Sequence, residues 1–455
     1  MLIRFVVQNV LSFDCQREFN LLPAPRLSRL NHHKYKPGKS LELLKLSAIY
    51  GANGAGKSNL VMAMAYLREI VITSDIPAQL GSSWFRLNPA NEKKPQLLAA
   101  EFFIDGLSWM YAIEITNGWV TTEELFQTSR GKKADKLIFS RETTAEGKTS
   151  IRFFDGFENN AENKVLRSVI EKTLAKPDKP VFKLLSKLDN EQLEQVKTAF
   201  NWFQNKLKII VPNSKPINLA YDIEKDNAFH KFANEIMASF NTGVHEVIPE
   251  RKTLEEFAGN NNDLIVKLSD ILSKHGGKLA PITSTFGEPA IVYKEGDQIF
   301  VTRLSFGHLA SNEEHVKFYI DNESDGTVRL LDYIPALWEV IHNDVVFVID
   351  EIERSIHPLI IKGILKKFSE DKSTRGQLIF TTHESNILDQ DLLRQDEIWF
   401  AEKDKKGCTD IYPFSDFKEH HTKDIEKGYL NGRYGGIPFL GNLNDLKWDH
   451  HEAIA

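Results

Sequence analysis

A glycine-rich segment, residues 51–58, constrains the fold more than any other part of this 455-residue chain. It fits the P-loop pattern G-x-x-x-x-G-K-[ST] and lies between an apolar run, residues 46–50, and helix-forming residues that begin at Leu60. In a strand, loop and helix of this kind, glycines let backbone N–H groups approach phosphate oxygens at the positive end of the helix. The segment therefore predicts a nucleotide-binding site at the end of a buried strand.

The P-loop also predicts roles for individual side chains. Lys57 would contact the β- and γ-phosphates, and the Ser58 hydroxyl would hold Mg²⁺. The residues expected to surround bound ATP are Gly51, Asn53, Gly54, Ala55, Gly56, Lys57, Ser58 and Asn59.

Two later apolar runs end in residues suited to phosphate chemistry. Residues 345–349 are all apolar, and the Asp350 and Glu351 that come next are predicted to hold the Mg²⁺ shell and to polarise the attacking water. Residues 377–382 form the next predicted strand, and His383 at its tip is expected to contact the γ-phosphate. The predicted catalytic residues are Lys57, Glu351 and His383.

The order of these elements resembles the ABC-type ATPase superfamily, in the branch that contains the SMC and RecF proteins. Residues 53–59 and the opening segment, residues 2–13, are similar to that branch. The resemblance implies an α/β fold, a P-loop ATPase head with a mixed central sheet, an antiparallel β lobe and an inserted helical lobe. It also implies ATP and Mg²⁺ as cofactors. The expected division is the first part of the head at residues 1–155, the helical lobe at 156–288 and the second part of the head at 289–455.

The superfamily completes each nucleotide site with a signature from a second chain, and two segments are candidates. Residues 324–327, which include Ser324, Gly326 and Thr327, open an apolar-periodic helix upstream of the acidic strand, and Ser and Gly before a helix favour anion binding. Residues 304–308 instead come after an alternating strand, with no such helix directly behind them. We therefore predict the signature at residues 324–327, and with it a homodimer or higher homo-oligomer.

Four segments narrow the resemblance to the bacterial ATPases of phage-defence and abortive-infection systems, such as RloA and the ATPase part of OLD proteins. They are residues 324–327, 350–358, 380–384 and, for the RloA-like subset, 429–439. The resemblance implies a sensor or regulatory ATPase that controls a toxic effector. Because the segment after His383 is too short for the TOPRIM nuclease of OLD proteins, we expect the nuclease or toxin to be a separate protein.

Composition limits the partners and the compartment. A net charge of −6 gives no overall attraction to nucleic acid, although local basic patches leave binding possible. We expect no membrane contact, since no apolar run reaches the roughly 20 residues that cross a bilayer. Two distant cysteines, Cys15 and Cys408, favour a reducing cytoplasm. The paired histidines at 32–33, 420–421 and 450–451 are interpreted as surface residues and not as metal ligands.

Two other functions remain open from the sequence, and a third is less favoured. A DNA-repair ATPase similar to RecF would act directly on DNA, and a steep salt dependence of DNA binding would favour it. A non-enzymatic scaffold would use ATP only as a structural ligand, but the presence of Glu351 and His383 argues against it. A transporter ATPase fits less well, since such a subunit lacks a helical insertion of this size.

Overall fold

The computed structural model describes residues 1–38, 41–129, 133–259, 261–283 and 289–437, and within these ranges the chain forms two compact units. The first, which we call the P-loop unit, comprises Met1–Ile209, Asp344–Glu351 and the chain from Gly376 onward. The second unit comprises Ile210–Asn343 and Ile352–Arg375. Residues 156–288, expected to form one inserted lobe, are therefore distributed over both units.

The strands, in chain order, are β1 (Leu2–Gln8), β2 (Arg17–Asn20), β3 (Lys34–Gly38), β4 (Leu41–Leu44), β5 (Leu46–Tyr50), β6 (Gln96–Ile104), β7 (Leu107–Thr116), β8 (Trp119–Thr128), β9 (Lys136–Thr143), β10 (Thr149–Phe153), β11 (Leu207–Ile210), β12 (Glu246–Thr253), β13 (Leu279–Thr283), β14 (Pro289–Glu295), β15 (Gln298–Leu309), β16 (His315–Tyr319), β17 (Val346–Ile349), β18 (Gln377–Thr382), β19 (Ile398–Lys403) and β20 (Thr409–Pro413).

The α-helices are α1 (Lys57–Thr73), α2 (Ala78–Gly81), α3 (Ala161–Val169), α4 (Phe182–Ser186), α5 (Glu194–Asn201), α6 (Leu219–Lys225), α7 (Asn227–Ser239), α8 (Leu254–Ala258), α9 (Asn262–Lys274), α10 (Asp325–His342), α11 (Pro358–Glu370) and α12 (Ile425–Leu430). Single π-helical turns continue α3 and α5, at Ile170–Leu174 and Trp202–Lys206. No helix within the described ranges is both long enough and apolar enough to span a bilayer.

The central sheet of the P-loop unit has the strand order β11-β17-β18-β5-β19-β20. Strands β17, β18, β5 and β19 run parallel, and β20 runs antiparallel to β19, so the predicted mixed central sheet is confirmed. Every residue of β5, β17 and β18 is buried, as in a sheet covered on both faces. Because these three strands are parallel neighbours, the residues directly after them, Gly51, Asp350 and His383, gather at one edge of the sheet.

A second sheet in the same unit is the predicted antiparallel β lobe. Its strand order is β10-β9-β8-β7-β6-β1-β2, and each neighbouring pair is antiparallel. Residues from the expected helical lobe pack on it: the ring of Trp202 stacks on Phe102 at 4.3 Å, and Phe182 stacks on Tyr111 at 4.7 Å. The buried Glu123 of β8 also accepts hydrogen bonds from the N–H groups of Val181 and Phe182. This shared core explains why residues 156–209 belong to the P-loop unit.

The second unit is built on a sheet of order β12-β15-β14-β13, with β16 paired to β15. Alternate residues of β14 point to opposite faces: Ala290 and Val292 join the core formed with α8 and α9, whereas Ile291 and Tyr293 pack with Ala220 of α6. Helix α10 packs on α7, where the ring of Trp338 lies 5.2 Å from that of Phe232. The insertion thus alternates helices with strands beyond residue 210.

One histidine pair is placed differently from the expectation. His33 is buried, and its Nδ1 lies 2.9 Å from each carboxylate oxygen of the buried Glu397. Burial raises the pKa of Glu397, while the hydrogen bond from His33 lowers it. The interpretation of His33 as a surface residue is therefore wrong, because a buried acid at this position needs a hydrogen-bond partner. Residues 438 and 439 of the RloA-like segment and the histidines at 450–451 lie outside the described ranges.

Candidate nucleotide site

The P-loop connects β5 to α1 through a backbone that needs glycine at two positions. Gly54 has a φ of 78° and Gly56 a φ of 108°, a region that residues with a Cβ rarely adopt. A Cβ on Gly56 would also collide with the side chains of Thr409 and Ser12. Gly56 is the N-cap of α1 and contributes no side-chain cap, so no side chain competes at this helix start with an incoming anion.

The side chain of Lys57 lies between the P-loop and the tip of β18. It is only 4% exposed, and its ammonium group donates to the carbonyl oxygens of Gly51 at 2.7 Å and Ala52 at 3.2 Å. The same ammonium lies 3.2 Å from Nδ1 of His383. The structure thus brings together two of the predicted catalytic residues, which come from opposite parts of the sequence.

Asp350 is the centre of a hydroxyl-rich cluster at the same edge. Its Oδ1 accepts from Ser58 Oγ at 3.1 Å and from Thr381 Oγ1 at 2.6 Å. Thr381 also accepts from the backbone N–H of Glu351 at 2.8 Å, so one hydroxyl orients both acidic residues. Glu351 has a φ of 52°, a strained conformation that is typical of functional sites. Sequence reasoning missed Thr381; a polar residue inside a buried strand was the available signal.

Ser58 and Asp350 fit a magnesium ion by the chemistry of their donor atoms. Mg²⁺ prefers hard oxygen ligands and commonly uses one or two carboxylates together with substrate phosphates. The buried Asp350 carboxylate and the exposed Ser58 hydroxyl lie within hydrogen-bond distance of each other and would both be ligands. When bound, the ion would offset negative charge on the phosphate oxygens.

His383 is held as a neutral base in this arrangement. Burial and the nearby charge of Lys57 lower the pKa of His383, while Glu351, a hydrogen bond with the backbone of Gly51, and Asp350 oppose that shift. Because the Lys57 ammonium can only donate, a hydrogen bond between it and Nδ1 requires the tautomer of neutral His383 that carries its proton on Nε2. In that tautomer His383 presents one N–H group, on Nε2.

A group of hydrogen bonds that supports the P-loop, which we call the Ser12–Thr409 brace, was not predicted. Thr409 Oγ1 of β20 donates to the carbonyl of Ala55 at 2.9 Å and is hydrogen-bonded to Ser12 Oγ at 2.7 Å. The side-chain amide of Asn59 donates to the same Ser12 oxygen at 2.7 Å. Asn59, predicted to surround the nucleotide, thus takes part in bracing the loop. Of the other predicted loop residues, Asn53 and Gly54 are exposed. Nothing in the sequence around Thr409 indicated this role.

The predicted signature residues lie in the second unit, at the start of α10. Ser324 is the N-cap: its Oγ accepts from the N–H of Thr327 at 3.1 Å and lies 2.9 Å from Thr327 Oγ1. At Gly326 a Cβ would lie 2.7 Å from the carbonyl oxygen of Ser355, so only glycine permits this close approach. Residues 304–308, the other candidate, lie inside β15 and do not begin a helix. The nucleotide role of Ser324, Gly326 and Thr327 stays a prediction.

Comparison with known proteins gives one family match. Residues 46–389, about three-quarters of the chain, match the model of a family described as "AAA domain, putative AbiEii toxin, Type IV TA system". No curated protein matches the chain significantly. The matched range includes the P-loop, Asp350 and His383.

Three solved structures are similar to the chain. One is an SMC head bound to the C-winged helix domain of ScpA, at 12% identity over 90% of this chain and 97% of that one, with a TM-score of 0.41. A second is the SMC head domain from Thermotoga maritima, at 11% identity over 90% and 98%, with a TM-score of 0.36. A third is an Smc head domain with an extended coiled coil bound to the C-terminal domain of ScpA derived from Pyrococcus furiosus, at 11% identity over 95% and 98%, with a TM-score of 0.35.

Proposed function

Since the chain belongs to the family of AAA-domain ATPases described with AbiEii-type toxins, we propose that this ATP-hydrolysing enzyme is the sensor or regulatory ATPase of an anti-phage defence system. In this proposal it works in the cytoplasm, hydrolyses Mg-ATP at sites shared between two copies of the chain, and controls a separate toxic effector. The observation that carries the proposal is the cluster of Lys57, Ser58, Asp350, Glu351 and His383 at one edge of the central sheet.

Binding is the task of the P-loop and its lysine. The uncapped start of α1 offers backbone N–H groups to the phosphates, and Lys57 adds a positive charge. This ammonium is hydrogen-bonded to the carbonyl oxygens of Gly51 and Ala52, which bound phosphates would replace as its partners. Ser58 and Asp350 would hold the magnesium ion beside them.

Hydrolysis is the task of Glu351 and His383. Glu351 directly succeeds the ion-binding carboxylate, and its backbone is fixed by Thr381, so its carboxylate can orient and deprotonate a water molecule. His383, neutral beside Lys57, can donate a hydrogen bond to the γ-phosphate and report whether that phosphate is present. The proposed switch is therefore a change of hydrogen-bond partner at one histidine.

The shared site and the effector are supported by the resemblance to defence ATPases and by the start of α10. Ser324 and Thr327 carry two adjacent hydroxyls at a helix N-terminus, and one hydroxyl proton can point outward while the other bridges the pair. In the proposal this turn caps the γ-phosphate bound to the other copy. Closure of the dimer would then be the signal that the effector receives.

A complementation experiment tests the shared site. Lys57→Ala should abolish turnover and weaken ATP binding, whereas Ser324→Arg should abolish turnover and leave ATP binding intact. In a mixed dimer of the two variants, one site carries both defects and the other carries none. With independent sites and random pairing of equal amounts, about a quarter of wild-type phosphate release should return.

The controls concern dimer formation and the rival signature. Native mass spectrometry should show that mixed dimers form under the assay conditions; no recovery in their presence contradicts a shared site. Gly307→Ala, in the strand candidate, is expected to stay active. An inactive Gly307 variant beside an active Ser324 variant would move the signature to residues 304–308.

Direct action on DNA is the second candidate, and one observation favours it. Residues 164–187 of the P-loop unit contain seven basic side chains and two acidic ones, in a protein of net charge −6. Lys164, Lys172, Lys176 and Lys187 are exposed. Fluorescence anisotropy with a short duplex should then show binding that weakens steeply with salt and is reduced by Lys172→Glu with Lys176→Glu. Equal affinity of the double variant and wild type would remove this candidate.

A further inference from the structure

The turn before α10 is held by a histidine from a neighbouring strand. We infer that His308 is a positioning residue for hydrolysis, because it fixes Glu323 and thereby the turn at residues 323–327. His308 Nε2 lies 2.7 Å from Glu323 Oε1, and Glu323 directly precedes the N-cap Ser324. The inference rests on the proposed function, in which this turn completes a nucleotide site.

The side chains of His308 and Glu323 are both largely removed from water, so the loss of their hydrogen bond should be costly. The side chain of Glu323 is 5% exposed and that of His308 is 19% exposed. A carboxylate removed from water is costly unless a donor compensates it. Without His308, Glu323 would gain water by turning outward, and Ser324 would move with it because the two residues are adjacent. His308 therefore controls the position of the turn and not only its stability.

His308 is well suited to fix another residue because its backbone is paired within a sheet and its ring is packed. It lies in β15, where its neighbour Gly307 pairs with Glu246 of β12 and His308 pairs with Val316 of β16. The ring of Phe318 lies 4.7 Å from the imidazole, and a Cβ placed on Gly243 would lie 3.5 Å from its Nδ1. The imidazole thus packs against Phe318 and close to Gly243, on a strand that is paired on both edges.

The turn has a second anchor on its other side. Gly326 packs so closely on the carbonyl of Ser355 that a Cβ would meet it at 2.7 Å. Between these anchors the hydroxyls of Ser324 and Thr327 keep their 2.9 Å contact. The position of this turn therefore depends on His308 on one side and on the close contact of Gly326 with Ser355 on the other.

The test compares three substitutions at one position with a control in the same hairpin. His308→Leu keeps the bulk and removes the donor, so kcat for phosphate release should fall about 10- to 100-fold, the cost of a lost hydrogen bond to a buried charge. Binding of a fluorescent ATP analogue should not change, because the P-loop is intact. His308→Gln can still donate to Glu323 and should recover most of kcat, whereas the shorter His308→Asn should not. His315→Leu, exposed on β16, should behave as wild type.

A second-site change tests whether His308 acts through Glu323. In the His308→Leu background, Glu323→Gln removes the unpaired buried charge and should restore part of kcat; an unchanged low kcat would mean that His308 does not act through Glu323. Wild-type kcat in His308→Leu overturns the inference. If that variant does not fold, equal activity of His308→Gln and His308→Asn overturns it instead. Failure of the proposed function looks different, since Ser324→Arg itself would then keep hydrolysing ATP.

Discussion

The starts of α1 and α10 are both rich in serine and glycine, but they are built differently. At α1 the N-cap is Gly56, in a left-handed conformation and without a side-chain cap. At α10 the N-cap is Ser324, with an extended backbone and a hydroxyl that accepts from Thr327. The first helix start leaves its N–H groups to a ligand, and the second satisfies one of its own.

This difference indicates two levels of dependence on nucleotide. An uncapped helix start beside a buried lysine is incomplete without an anion, so the P-loop should bind phosphate on its own. A capped start is stable without a ligand, and in the proposed function it adds to a site that the P-loop has already formed. Three substitutions and one titration test this contrast, beginning with the largest effect.

Glu351→Gln should slow ATP hydrolysis by about 10²- to 10⁴-fold, because the amide cannot deprotonate water. ATP binding should persist, since the P-loop does not need Glu351 to hold phosphate. Size-exclusion chromatography of the variant with Mg-ATP should show a shift to a dimer that wild type does not accumulate. If the variant hydrolyses ATP at the wild-type rate, another residue activates the water.

Thr381→Val should lower turnover about tenfold, since Asp350 loses one of its two hydroxyl donors and the Glu351 N–H loses its acceptor. Thr382→Val is the matched control: the Thr382 hydroxyl accepts from the N–H of Glu384 and does not contact either acid. Steady-state phosphate release should rank wild type and the control above Thr381→Val. Equal rates for the two variants would show that Thr381 does not orient the acids.

Ser324→Ala should destabilise the second unit by about 0.5–2 kcal/mol through loss of the N-cap, and should also slow turnover. Asp226→Ala is the control, because Asp226 caps α7 in the same unit by accepting from Ala228 and Phe229 and has no proposed role in hydrolysis. Urea denaturation should show similar losses for both variants, and the turnover assay should separate them. A turnover loss shared by both would mean that cap stability alone explains the effect of Ser324.

The smallest effect concerns the protonation of His383. Its pKa lies below the ordinary 6.5, so the unfolded chain binds this proton more readily than the folded chain. The corresponding stabilisation is present above pH 6.5 and is lost as the pH falls through the folded pKa. NMR titration should place the midpoint of free His383 below 6.5, and bound ATP should raise it, because phosphate charge favours the protonated ring. A midpoint unaffected by ATP would place His383 away from the phosphates.

Much of the P-loop unit was predictable because its signals are local. The glycine pattern at residues 51–58 specifies a phosphate-binding loop, and the uninterrupted apolar runs before Asp350 and His383 each specify a buried strand with a polar residue at its end. Parallel pairing then brings the strand ends together without further information. Thr381 carried a signal that the sequence analysis did not use, a polar residue inside a buried strand. The Ser12–Thr409 brace could not be predicted, because a hydrogen bond between side chains 397 residues apart leaves no periodic pattern in the sequence.

The insertion was harder to predict for a related reason. The apolar spacing of Val196, Phe200 and Phe203 indicates a helix, but an apolar helix face does not reveal which sheet it covers. Strands β12 and β13 lie between helices and carry Pro249 and Pro281, which weaken a strand signal. The division of this segment between two units depends on contacts and not on local propensity.

The position of β5 has a consequence for how the protein is made. Its two neighbours in the sheet, β18 and β19, come from far later in the chain, and so does Thr409 behind the P-loop. On the ribosome, Lys57 therefore emerges long before the strands that will fix it. A chain whose translation stops before β19 carries Lys57 beside a central sheet that lacks β19 and β20. Non-local strand pairing of this kind is slow to form. Such a chain would lack both a sheet neighbour of β5 and the Thr409 contact behind the P-loop, so we expect it to hydrolyse ATP poorly.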